Sequence, residues 1–538
     1  MVDVESVTRR AKNSAPGPDG LPYIAWRMGG QKAAHSLLGL LRIASVGRCV
    51  EGMNDQLMVF QPKDTPEADE DDLNISREPA DTRPLSLKNS DIKICTSAVN
   101  GKVKWLVKDR AHGAQRGFIG SRQPIQNVLD VDSKMRMHGS VPPVKDEGVE
   151  KLPVAGLFDF RAAFPSVSHK WFMASLESIG CPPGFLLFVK AIYLENRAWF
   201  GNGDQQKLLF TIISGILQGC PGSGTFFVVA IEPFINKFSI QLTHQTAQRV
   251  PPRAGAPDEV KACADDIAFA LFELRALIVI RTTFDEAKRL AALQLQPRKC
   301  VLIPSRGPIS EQKIKEVREW LAANVAGWEG FQICGTAKLL GFFIGPRAGT
   351  VRWRSVCAKY SERTRQIAAV GAPPSVTARL YAARALPTLS YLWQLLPVPL
   401  ELRRREIYRI HAMLHLPQNS FSLGALFSMH SSGGPRLPSI LATALAASVR
   451  TATSTLPSWH CILAEMRRWA LDEADIRRGA RGMVSPVEWD TLSIAEHLEA
   501  ACDPRKLQLL KMHKQASALN AAFTEHGGLE GIALLEKM

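Results

Sequence analysis

The fold class predicted from the sequence is an α+β body followed by a helical C-terminal third, and three observations carry it. Short strand-like and helix-like stretches alternate through the first two thirds of the 538 residues, separated by polar breaks. Beyond about residue 350 the strand signals fade, and Ala/Leu/Arg-rich stretches such as "SVTARLYAARALPTLSYLWQLL" and "LELRRREIYRIHAML" take over. Within the first of these regions "KACADDIAFALF", Lys261 to Phe272, sets paired aspartates inside an otherwise apolar run, the pattern of a β-hairpin with its charges at a tight turn.

The elements follow in order. Polar breaks fall at Pro62 to Asp81, Asp132 to Lys151, His244 to Lys261 and Pro304 to Ser310. Within the first, "TPEADEDDLN" is wholly polar, so Asp71 and Asp72 read as solvated loop. Val154 to Phe158 reads as a buried strand with Asp159 at its end. "SHKWFMASLESIG" has a serine in a capping position before a helical apolar pattern that stops at Gly180, and "PPGFLLFVKAIYLENRAWF" restarts a helix; both read as helices beside a sheet.

Composition bounds the function. With 46% hydrophobic and 22% charged residues the chain is an ordinary globular one, and no segment reaches the ~18 apolar residues of a membrane span. The net charge of +15 points to a polyanionic partner, nucleic acid foremost, with a solvated basic surface as the plainer reading. Ten cysteines without CxxC or zinc spacing read as reduced thiols. The N-terminus carries no signal or transit pattern, so an intracellular location, nucleus and/or cytoplasm, is expected.

An unpaired buried carboxylate is so costly that it normally neutralises. Two of them on a rigid apolar hairpin call for a counter-charge, and Mg²⁺ fits, because it takes oxygen ligands and leaves positions open for substrate phosphates. A further carboxylate should then end a strand. "VAGLFDFRAAFPSV" supplies Asp159, with Phe164 five residues on. Taken singly, an aspartate closing a strand is commonplace turn chemistry, and a solvated turn is the rival reading of Asp265 and Asp266.

In chain order, "SAPGPDGLP", "FQPKD" with "DTRPLSLKNSDIKI", "QRGFIGSRQPIQNV", "DFRAAF", "SGILQGCPGSG", "ADD", "LQLQPRKC" and "KLLGFFIG" resemble successive blocks of non-LTR (LINE-type) retrotransposon reverse transcriptases. The resemblance covers about residues 14 to 345; about 350 to 420 is similar to the family's thumb, and nothing beyond 450 is covered.

The resemblance implies an RNA-directed DNA polymerase of right-hand architecture. Residues 1–153 would be fingers and N-terminal extension, 154–347 palm with interleaved fingers helices at about 168–210, 348–450 a helical thumb, and 451–538 a helical region of unknown role. It implies RNA template, DNA primer or target DNA, and dNTPs as partners, with no membrane. Asp159, Asp265 and Asp266 would hold two Mg²⁺ ions, Mn²⁺ being the alternative, with the Phe160 carbonyl as an extra ligand. Phe164 would be the steric gate against a 2′-hydroxyl, and Lys63 and Arg83 would grip the triphosphate. Gln218 would contact sugar or base, Gly219 would let template backbone come close, and Lys299 would donate a proton to departing pyrophosphate. Leu340 and Gly341 would position the primer end, with Arg363, Arg365, Arg379, Arg384 and Arg403 to Arg405 on duplex phosphates. Without the resemblance Phe164 is a core ring, and these cations are solvated surface.

The sequence also departs from the family pattern. Cys263 replaces an aromatic residue before Ala-Asp-Asp, and Ala162 and Pro165 replace the usual Lys and Asp around Ala-Phe. Gly222 and Gly224 replace Leu and Pro, Leu217 a frequent Arg, and Gln296 a frequent Asn. No metal ligand is lost, and a decayed or domesticated RNA-binding descendant is the alternative. Neither an endonuclease nor a zinc knuckle is expected within the chain.

Overall fold

The alternating apolar stretches form two sheets and a hairpin in the computed structural model. It describes residues 2–502 apart from 12, 64–76, 79–80, 142, 144–146, 202–205, 249–256, 308, 350, 456–458 and 467–492. The acidic loop with Asp71 and Asp72, and most of 451–538, lie outside the described residues.

Helices α1 (Val2–Arg10), α2 (Tyr23–Met28) and α3 (Gly30–Ser45) precede strands β1 (Gln56–Pro62) and β2 (Thr82–Lys88). Helices α4 (Ser90–Arg110) and α5 (Ile125–Ser140) lead to β3 (Val154–Phe158), then α6 (Ala163–Ser166), α7 (His169–Ser178) and α8 (Pro183–Ile192). Next come β4 (Asn196–Phe200), β5 (Lys207–Ile212), α9 (Ser223–Ala247), the hairpin β6 (Glu259–Cys263) and β7 (Asp266–Leu271), and α10 (Ala276–Ala291). Strand β8 (Val301–Pro304), α11 (Glu311–Asn324), β9 (Gln332–Ile333) and a second hairpin, β10 (Ala337–Leu339) with β11 (Phe342–Ile344), complete the α+β body.

The five-stranded sheet runs β6-β7-β3-β8-β9. Its side chains alternate between two cores, as strand geometry requires. Phe158 and Phe269 point into an aromatic cluster with Phe238, Phe284, Trp328 and Phe331, backed by α9 and α10. Ala155, Ala268 and Ile303 face the other way, into a core shared with α5, the β10–β11 hairpin and the helix Ile494–Ala501. The second sheet runs β2-β1-β4-β5, so it joins strands from two distant stretches of chain.

Strand signals do end where the sequence suggests: among the described residues no strand follows Ile344. Tyr360, Tyr381, Trp393 and Leu402 centre a separate core among α12 (Arg354–Ala369), α13 (Pro374–Leu380), α14 (Pro387–Ser390), α15 (Leu400–Met413) and α17 (Ile440–Ser454), with α16 (Leu423–Ser428) between the last two.

Three local expectations are corrected. The helix expected through "LENRAWF" stops at Ile192; Glu195 turns left-handed at φ 45°, and Asn196–Phe200 pairs with β5 as a strand. Asp132 does not open a linker but lies mid-helix in α5, fully buried, with Arg136 at 3.0 Å and the Ile494 N–H at 3.2 Å. His244 likewise lies inside α9, which runs on to Ala247. In α5 distant partners, the Ile494 N–H and Arg352, compensate a charge that local pattern assigns to a loop, whereas His244 is simply exposed on α9.

Candidate active site

The hairpin closes on a two-residue turn, because Cys263 pairs with Asp266 and only Ala264 and Asp265 lie between them. Ala264 adopts φ 57°, the left-handed turn conformation that lets a hairpin follow the strand twist. Asp265 therefore occupies the turn, while Asp266 is the first residue of β7.

Strand β3 lies antiparallel to β7 with Phe158 opposite Ile267. Continuing that register by one residue sets Asp159 across from Asp266. Behind Asp159 its N–H meets Cys300 Sγ at 3.5 Å and its carbonyl accepts the Gln296 N–H at 2.9 Å. The Arg161 N–H to Gln294 carbonyl bond, 2.8 Å, completes a bridge between Phe160 and Leu295. In such a bridge the flanking residues carry the bonds, so the Phe160 carbonyl is turned to the opposite side, free of that strand.

No ion pair neutralises the three carboxylates among the described residues. Burial raises the Asp159 carboxyl, with Lys299 and Lys63 drawing it partly back. Burial raises Asp265 as well, and Asp159 adds to it. Asp266 reaches solvent at the mouth of the cleft but is walled by protein; burial first, then Asp265 and Asp159, push it up to about 6. Cys263 is pushed up to about 11 by burial and by the two aspartates, so its thiol stays neutral beside them. Mutually repelling carboxylates that no ion pair holds among the described residues fit a divalent cation, a hard acceptor of oxygen ligands. Among the described residues no group of three or more His, Cys, Asp or Glu is gathered tightly enough to hold an ion as it stands, so the fold supplies adjacency and charge.

An open cleft of about 470 Å³ brings together Asp159, Asp266, Lys299 and Leu340, the last from the β10–β11 turn. A second cavity of about 510 Å³ holds Phe164 and Gln218 with Phe118 and Gly224. Phe164 stacks on Phe227 at 4.3 Å, and its carbonyl accepts the Ile216 N–H at 2.7 Å. The Gln218 carbonyl accepts the Ser86 N–H at 2.7 Å, and Gly219 sits at φ 112°. A Cβ on Gly219 would come within 2.4 Å of the Ser86 carbonyl, so glycine lets the loop press on β2.

Arg83 stands on β2, exposed opposite Gln61, and Lys63 directly follows β1, its N–H donating to the Asp81 carbonyl at 2.8 Å and its side chain near enough to act on Asp159. Of the arginines, Arg365 and Arg405 are held by Glu362 and Glu401 at 2.7 and 2.6 Å, whereas Arg379, Arg384, Arg403 and Arg404 are exposed.

Residues 66–324, which span both the hairpin and Asp159, match the reverse transcriptase (RNA-dependent DNA polymerase) family. The chain carries a reverse transcriptase domain. It is 23% identical over 192 residues, 36% of this chain and 14% of the relative, to a Xenopus laevis protein described as the transposon TX1 uncharacterized 149 kDa protein. It is 22% identical over 311 residues, 56% of this chain and 26% of the relative, to the Drosophila melanogaster Pol polyprotein of the type-2 retrotransposable element R2DM. The matches thus span about a quarter or less of those curated relatives, and the domain is of the non-LTR retrotransposon kind. A solved structure of apo telomerase from Candida tropicalis, truncated from its C-terminal domain, shows 12% identity and a TM-score of 0.35 over 60% of this chain and 59% of that one. The mixed sheets and helices of the reverse transcriptase domain are those of a right-hand polymerase.

Sequence reasoning missed the brace behind the hairpin of the reverse transcriptase domain. Gln115 is fully buried, and its Oε1 accepts the N–H of Ala264 at 2.9 Å and of Gly117 at 2.8 Å. Asn127 Nδ2 donates to the Ala262 carbonyl at 2.8 Å, and Asp130 joins Arg116 and Lys261 at 2.6 and 2.8 Å. The available signal was the polar pair Gln115-Arg116 before Gly117, whose partners lie far along the chain.

Proposed function

We propose that this chain is an RNA-directed DNA polymerase that extends a primer 3′ end with dNTPs on an RNA template. The observation that carries it is the β3–β7 register, which opposes Asp159 to the Asp265–Asp266 turn with no ion pair to any of the three among the described residues. Asp159 and Asp265, with Asp266 and the Phe160 carbonyl, would hold two divalent cations, Mg²⁺ or Mn²⁺. When bound, the cations supply charge stabilisation to the triphosphate and acidity to the primer 3′-hydroxyl.

The remaining steps fall to the chain's own groups. Lys63 and Arg83 grip the triphosphate, Lys63 as a point charge and Arg83 as a fork. Phe164 excludes a 2′-hydroxyl beneath the sugar, while Gln218 contacts the sugar or base. Lys299 holds the proton that pyrophosphate takes as it departs. Leu340 and Gly341 set the primer end over the cleft that also holds Asp159 and Asp266. The exposed arginines of the helical third meet duplex phosphates.

The same reading divides the chain into fingers and N-terminal extension (1–153), palm (154–347), thumb (348–450) and a C-terminal region (451–538). It keeps about 168–210 as a stretch of fingers interleaved in the palm, supported by the second sheet, in which β4 pairs with β1 of the fingers and carries β5 on its other edge.

The test is dNTP incorporation by the purified chain on a primed RNA with Mg²⁺, beside Asp265→Ala and Phe164→Ala. The wild type should extend, Asp265→Ala should not, and Phe164→Ala should accept ribonucleotides. Extension surviving Asp265→Ala would defeat the carboxylate assignment. A wild type that binds primed RNA but never extends it would favour the RNA-binding descendant.

A further inference from the structure

Phe118 is a large ring with no role so far. It adopts φ 55°, a conformation uncommon outside glycine and unfavourable for a bulky residue, and it remains 59% exposed. Burial of the ring therefore does not account for its placement. Backbone bonds do: the Arg116 N–H donates to the Ala262 carbonyl at 2.8 Å, and Gly117 presses on the turn, where an added Cβ would meet the Ala264 nitrogen at 2.4 Å. The ring is thus anchored to the hairpin that carries Asp265 and Asp266. It projects into the Phe164 cavity, edge-on to Phe164 at 6.4 Å and 85°.

Directly against the ring stands Gly224, in the first turn of α9. A Cβ there would lie 2.5 Å from two carbons of the Phe118 ring. Gly224 is one of the departures from the family pattern, and so is Gly222, whose missing Cβ leaves room for the Phe226 ring at 2.5 Å. Each glycine thus faces an aromatic ring that a Cβ at its position would meet.

We infer that Phe118 is a second aromatic wall of the nucleotide pocket, admitted by Gly224, and that with Phe164 it sets how tightly the pocket fits the sugar of an incoming deoxynucleotide. The inference rests on reading that cavity as the nucleotide site. A bound nucleotide would cover the face that now meets water, the use to which a held, exposed aromatic ring is suited. Gly224→Ala should act through Phe118, by pushing its ring out of the pocket.

The experiment uses the full chain with an RNA template and a dideoxy-terminated primer, on which no bond can form. Retention of the complex is titrated with the matched dNTP and the matched rNTP, each with Mg²⁺. The wild type and Phe118→Tyr should favour the dNTP. Phe118→Ala should weaken dNTP retention about tenfold and narrow the dNTP-to-rNTP ratio, the scale expected when a wall of an apolar pocket is removed. Gly224→Ala should behave like Phe118→Ala, and the double variant should be no worse than either. Selective retention unchanged within twofold in Phe118→Ala, or additive losses in the double variant, would overturn the inference while leaving the polymerase reading intact. Selectivity in a wild type that fails to extend an unblocked primer would do the reverse. Absence of any dNTP-dependent retention in the wild type would overturn the inference with its premise.

Discussion

Replacing Gln115 by leucine removes one acceptor from a fully buried position and leaves two backbone N–H groups, of Gly117 and Ala264, without their partner. An unsatisfied buried donor costs about 1–3 kcal/mol, so the pair is worth about 2–6 kcal/mol. The volume change is small and adds little. The side-chain nitrogen already has no partner, so its loss costs nothing. Near the lower middle of that range, a loss of about 3 kcal/mol is expected in urea unfolding. The effect on chemistry should be larger, since the same turn carries Asp265. Misplacement by about an ångström costs on the order of 10²-fold in rate, to be read as kcat for primer extension at saturating dNTP. Gly117→Ala attacks the same contact from the other side, its Cβ falling 2.4 Å from the Ala264 nitrogen, and should move both readouts in the same direction. If Gln115→Leu kept its stability within 0.5 kcal/mol, roughly the scatter of surface substitutions, and its kcat within about twofold, the brace would have no role in the site.

Tyr391 of the helical third donates its hydroxyl to the Leu340 carbonyl at 2.7 Å, and its ring lies against Gly341 and Phe342. Tyr391→Phe removes about 1 kcal/mol from that contact and should raise KM for primer–template roughly fivefold with kcat nearly unchanged; an unchanged KM would detach Tyr391 from primer positioning. Glu406 is buried and accepts the Ile440 N–H at 2.7 Å, and burial pushes its carboxyl up to about 7 from 4.5. Its folded-state value is raised, so its contribution to stability is full below about 4.5 and is lost as pH rises through about 7, roughly 3 kcal/mol in all. Thermal unfolding at pH 5 and pH 8 should therefore show a drop that Glu406→Gln flattens, and equal drops in both proteins would refute the assignment. Gly219→Ala sets a Cβ 2.4 Å from the Ser86 carbonyl at a backbone φ of 112°, and should cost about 1–3 kcal/mol or more and raise KM for dNTPs. An unchanged melting temperature would mean that the Gln218–Gly219 loop does not press on β2.

Much of the site is legible one element at a time. Val154–Phe158 is a strand because its residues are apolar without interruption, and the hairpin is announced by apolar runs on both sides of two charges. Ser168 caps α7, its hydroxyl accepting the Trp171 N–H, as its place before the apolar pattern suggests. What fails is whatever depends on a distant partner. Asp132 reads as linker because a charged residue suits a loop, and nothing near it announces Arg352 and Ile494. The "NRAWF" stretch reads as helix because apolar residues precede it, and pairing with Lys207–Ile212 on one side and with β1 on the other makes it a strand.

The sequence by itself determined the order of the blocks, the carboxylates that end a strand and cap a hairpin, and the change from sheet to helix after the second hairpin. These are consequences of local alternation, turn chemistry and motif order, each readable within a short window. Only the tertiary structure decided that Asp159 faces Asp266, that Gln115 holds the turn and that the Phe118 ring takes the space Gly224 leaves open. Those contacts join residues more than a hundred positions apart, and their geometry exists only once strand register and helix packing have brought the chain together.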